Sequence, residues 1–143
     1  MIKVLNKLKK EIITLILVKA IFDYVLTLFE VYDISFFPGD VPILNTLMMM
    51  IIPLIFFKVL SKENEQDNTL KNFILIGLII TILSDFIRVF LLNKYLLKII
   101  YSYSSIEVIE TWSLFDRTME FTKFAVIESI IFCVIGIFKY LKR

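Results

Sequence analysis

Residues 72–92 read NFILIGLIITILSDFIRVFLL, an apolar run interrupted by Asp85 and Arg88. A helix needs roughly 20 apolar residues to cross a bilayer core of about 30 Å, and this segment has that length. Its two charges are the exception that matters. A charge at mid-bilayer costs roughly 2.5–3.5 kcal/mol on insertion scales, so such residues are normally paired, functional or both.

Three further stretches read the same way. Residues 12–32, 41–60 and 121–140 are apolar and of spanning length, and two of them also carry charges well inside the run: Lys19 and Asp23 in the first, Glu128 in the last. The expected fold class is therefore all-α. It is a polytopic membrane protein with four transmembrane helices, in one integral membrane domain covering residues 1–143.

Composition agrees. The chain is 59% hydrophobic with a mean hydropathy of +0.85, whereas a soluble domain is about 45–50% apolar, so the excess must be covered by something else. Lipid is the expected cover. A net charge of +2 argues against a nucleic-acid partner. There is no histidine, and Cys133 is the only cysteine, which removes the commonest general base and any disulfide or cysteine metal cluster. Gly39, Gly77 and Gly136 are too scattered to cradle a phosphate. No cofactor is implied.

Between the spans, Pro38-Gly39 marks a turn, with Asp40 and Pro42 suited to start the second helix. Pro53 falls inside that helix and is expected to kink it by freeing the carbonyl near Met49. Met48-Met49-Met50 reads as adaptable packing. Residues 61–71 form a polar cytoplasmic loop in which Asn68 or Thr69 can cap the third helix. Residues 93–120 form two amphipathic stretches around Ser104-Ser105. Helices 3 and 4 would extend outward there as a helical hairpin, or the stretches would lie flat in the headgroups. At the N-terminus, Lys3, Lys7, Lys9 and Lys10 beside an apolar face can rest on anionic headgroups, at roughly 1 kcal/mol per lysine.

Basic residues set the orientation. Lys3, Lys7, Lys9, Lys10, Lys58, Lys62, Lys71, Lys139, Lys142 and Arg143 share the side of the termini, against Lys94, Lys98, Arg117 and Lys123 on the other. That bias places both termini in the cytoplasm. Tyr32, Phe36, Phe37, Tyr95, Tyr101 and Trp112 would mark the outer interface. The Ile-, Leu-, Lys-, Phe- and Asn-rich usage fits an AT-rich gene of bacterial or mobile-element source, and the expected location is the bacterial inner membrane.

Counted from each span's midpoint, Asp23, Asp85 and Glu128 fall within about one helical turn in depth. Lys19 and Asp23 are i, i+4 and Asp85 and Arg88 are i, i+3, so each pair is expected to meet on its own helix. Lys19, Asp23, Thr27 and Glu30 share a polar stripe. Ser84 and Ser129 sit beside charges and can supply hydrogen bonds. Two cations against three carboxylates leave one without a full partner, and Glu128, with no basic residue nearby on its own face, is the expected one.

Three functions are compatible with such a cluster. The charges can hold helices or subunits together, in a sensor, regulatory or protective subunit such as a phage-defence or immunity protein. They can line a proton or ion pathway in a channel or transporter. More remotely, Asp23 and Asp85 can act as an intramembrane aspartyl hydrolase. Lipoprotein signal peptidases are also four-span proteins with two membrane aspartates. Here Asp23 stands in Phe-Asp-Tyr and Asp85 in Ser-Asp-Phe, without the asparagine-and-aspartate motifs that frame those aspartates. Small four-span multidrug transporters carry a first-span carboxylate, but not a lysine beside it or a projected hairpin. The expectation is a non-enzymatic subunit, forming a homo-oligomer or joining a membrane or cytoplasmic protein partner.

Overall fold

A computed structural model describes residues 2–31, 40–62, 66, 68–92 and 114–142, with the side chains of 27–31, 40–43, 45 and 114 outside that description. Every element among the described residues is helical: α1 (Ile2–Lys7), α2 (Lys9–Val31), α3 (Asp40–Ser61), α4 (Leu70–Phe86), a π-helical segment (Ile87–Leu92) and α5 (Leu114–Leu141). The expected turn at 32–39 and most of the outer hairpin at 93–113 lie outside the described residues.

α1 and α2 run on as nearly one helix. The amide of Leu8 donates to the Val4 carbonyl and that of Ile12 to the Leu8 carbonyl, both at 2.9 Å, so the hydrogen-bond ladder passes the junction. Val4, Leu8 and Ile12 bury one face against the bundle, leaving Lys7, Lys9 and Lys10 outside. α3 is continuous through Pro53. Thr69, in extended backbone, caps α4 by accepting from the Asn72 amide at 3.3 Å. α5 begins at Leu114, seven residues before the expected fourth span, so residues 114–120 of the expected outer hairpin are helical and continuous with that span.

α3 and α4 pack against each other, and each packs against both α2 and α5. At one end the core is aromatic. Phe56 stacks on Phe73 at 5.6 Å, and Phe73 meets Phe132 at 5.4 Å, between ring centroids. Two glycines admit these rings. A Cβ on Gly77 would lie 2.2 Å from the Phe132 ring, and one on Gly136 would lie 2.8 Å from Phe73. Tyr140 closes this end by donating its hydroxyl hydrogen to Oδ1 of the buried Asn68. At the other end Phe86, Phe90 and Phe121 form a second aromatic group, with centroids 5.0 and 5.7 Å apart along the chain of contacts.

The leucine-, isoleucine- and valine-rich outer faces are exposed: Leu17, Val18, Leu54, Ile55, Leu83, Ile130 and Val134 all show more than a third of their surface. Two helical stretches, Leu70–Leu92 and Phe115–Leu141, are long and apolar enough to cross a membrane, with mean hydropathies of 2.3 and 2.1.

Candidate functional site: a buried charge cluster

Lys19 projects from α2 into the bundle and is 2% exposed. Its Nζ lies 2.6 Å from Asp23 Oδ2 on its own helix, 3.2 Å from Asp85 Oδ1 on α4 and 2.7 Å from Glu128 Oε2 on α5. The first two are hydrogen bonds, whereas the Glu128 contact is an ion pair without hydrogen-bond angles. One ammonium thus joins three helices. Asp85 Oδ2 is buried with no hydrogen-bond partner.

Oxygens of Asp23, Asp85 and Glu128 all lie within 4.8 Å of one another. Three hard oxygen donors at that separation have the chemistry of a cation site. The Lys19 ammonium sits at contact distance from all three and supplies the cation itself. The cluster still has a formal excess of two negative charges when every group is ionised.

The sequence brings the right residues together but with different partners. Arg88 does not pair with Asp85 on its own helix. It lies in the π-helical segment, where the wider turn changes side-chain direction, and points Nη1 at Glu120 Oε1 on α5, 2.9 Å away. Its guanidinium carbon also lies 4.6 Å from the centre of the Phe124 ring, a cation–π distance. Glu128, expected to lack a full partner, is in contact with Lys19. With its ion pair made to Glu120, Arg88 still acts electrostatically on Asp85, and Lys19 is the cation in contact with all three carboxylates.

Ser84 and Ser129 do not hydrogen-bond the charges. Ser84 Oγ donates to the Thr81 carbonyl at 2.9 Å and Ser129 Oγ to the Ala125 carbonyl at 2.5 Å, bonds each makes within its own helix. The side chains of Thr27 and Glu30 lie outside the described residues. Pro53 is buried in the α3 interior.

Glu120 and the Tyr140–Asn68 bond are features that sequence reasoning missed. Glu120, Phe124 and Glu128 recur every four residues, which would have placed them along one stripe of α5. Nothing in the local sequence marks Asn68 as the partner of a residue so far along the chain. Compared with protein-family models, curated proteins and solved structures, the chain gives no match.

Proposed function

We propose that this is a small, non-enzymatic, four-span protein of the bacterial inner membrane, with both termini cytoplasmic, whose Lys19 cluster fastens α2, α4 and α5 into one unit. It acts through helix–helix contacts as a sensor, regulatory or protective subunit, a role that suits phage defence or immunity. The supporting observation is a buried charge cluster inside a bundle whose outer faces are apolar. Lys19, Asp23, Asp85, Arg88 and Glu128 are all buried, while Leu17, Ile21, Ile55, Leu83 and Ile130 face outward. An apolar exterior around a charged interior is stable in lipid and costly in water. α2 and α3, with 23 and 22 residues, also have the length to span, at about 1.5 Å per residue against a core of about 30 Å. Lysine and arginine bias supports the orientation.

The Lys19 contacts all form within one chain, so they do not depend on a second subunit. Assembly into a homo-oligomer or with a protein partner would use the apolar outer faces instead. An aspartyl hydrolase would need a water and a substrate between its aspartates, whereas Lys19 contacts both Asp23 and Asp85.

A second reading, a proton- or ion-conducting subunit, is favoured by the excess of carboxylates over cations and by the unpartnered Asp85 Oδ2. Ion and proton flux in proteoliposomes separates the two. Wild type, Asp23→Asn and Glu128→Gln are compared, with oligomeric state measured on the same preparations. Absence of flux in all three supports the fastening role. Flux in wild type that disappears in folded variants replaces it with a conduit.

A further inference from the structure

We infer that an open pocket at the junction of α1 and α2 binds the phosphate headgroup of an anionic phospholipid, with an acyl chain lying along α2 below it. The pocket has a volume of about 410 Å³ and is lined by Asn6, Lys7, Lys9, Lys10, Ile13 and Thr14. The inference rests on the membrane topology proposed above.

Charge complementarity selects an anion. Three lysines line the pocket, and the acidic Glu11 is not among its lining residues. Thr14 Oγ1 already donates to the Lys10 carbonyl at 2.8 Å, so the donors for a phosphate are the Lys9 and Lys10 ammoniums and the Asn6 amide. The helix presenting them is held in place, because Val4, Leu8 and Ile12 on its opposite face are part of the core.

The surface below the pocket selects a lipid over a free phosphate. Ile13, Leu17 and Ile21 follow at helical spacing and are 46%, 47% and 57% exposed. They form an apolar track beginning at the pocket wall. Depth agrees as well. Lys10 precedes Asp23 by thirteen residues, or about 20 Å of helix. With Asp23 at the bilayer centre, Lys10 reaches the headgroup layer of a bilayer about 40–45 Å thick overall. The lysine ammoniums at the pocket and the apolar track below it thus divide where a phospholipid divides.

The test uses the full chain in detergent, with bound phosphatidylglycerol and phosphatidylcholine counted by native mass spectrometry. Two triple variants are compared: Lys7→Gln/Lys9→Gln/Lys10→Gln at the pocket, and Lys58→Gln/Lys62→Gln/Lys142→Gln as an equal charge change elsewhere. Wild type is expected to prefer phosphatidylglycerol, and the pocket variant to lose roughly tenfold or more of that preference. The control variant retains it, and inorganic phosphate does not compete. No preference in wild type, equal loss in the control, or displacement by inorganic phosphate overturns the inference. Alkaline carbonate extraction of membranes separates this from the topology. Release of wild type sinks both, and retention without lipid preference sinks the lipid site alone.

Discussion

The Lys19 ammonium on α2 and the Glu128 carboxylate on α5 lie 2.7 Å apart, although they come from opposite ends of the chain. Lys19 also contacts Asp23 and Asp85, so α2, α4 and α5 share one positive charge. The consequences for the three carboxylates and for Lys19 are opposite. Removing a carboxylate lowers an excess of negative charge, whereas removing the lysine leaves three buried carboxylates facing each other without their shared ammonium.

Asp23→Asn, Asp85→Asn and Glu128→Gln are each expected to keep the protein folded, changing stability by no more than about 1 kcal/mol. Each keeps the side-chain shape and leaves two carboxylates on Lys19. Unfolding by SDS titration in mixed micelles measures this. A collapse of any one variant would show that the carboxylates are not interchangeable partners.

Arg88 and Glu120 form a second, separate link between the end of α4 and α5. A double-mutant cycle with Arg88→Met and Glu120→Gln should give a coupling of about 1–3 kcal/mol. The corresponding cycle for Arg88 and Asp85 should give clearly less. Equal couplings would favour the own-helix pairing that spacing alone suggests.

Gly77→Ala places a methyl against the Phe132 ring, within 2.9 Å of three of its atoms. Overpacking of this kind costs about 1–3 kcal/mol. Phe132→Leu in the same background should recover part of the loss. Thermal unfolding in detergent reads both, and an unaffected Gly77→Ala would contradict the described contact.

Tyr140→Phe removes the hydroxyl that donates to the buried Asn68. The expected loss is about 1 kcal/mol, increased if the Asn68 oxygen remains without another donor. In an Asn68→Ala background the same substitution should cost almost nothing.

The helices and the shared level of Asp23, Asp85 and Glu128 were legible because both depend on local pattern: apolar run length, turn residues and residue counts along each helix. The partners were not. Spacing rules identify neighbours on one helix, and they correctly join Lys19 to Asp23. Which carboxylates of other helices turn toward Lys19 depends on the rotation of α4 and α5, set by the packing of Phe73 and Phe132 over Gly136 and Gly77. The π-helical turn that carries Arg88 toward Glu120 has no signature in the sequence that the apolar pattern could reveal. The stripe Glu120, Phe124 and Glu128 was readable, and would have suggested a second charged level on α5.

The most direct test compares the SDS-unfolding stability of wild type, Lys19→Met and Lys19→Met combined with Asp23→Asn, Asp85→Asn and Glu128→Gln. Lys19→Met alone should lose about 3–5 kcal/mol, as expected for buried charges deprived of their partner. The combined variant should recover most of that loss, because no uncompensated charge remains. A Lys19→Met protein as stable as wild type, or a combined variant no better than the single one, would contradict a bundle fastened by Lys19.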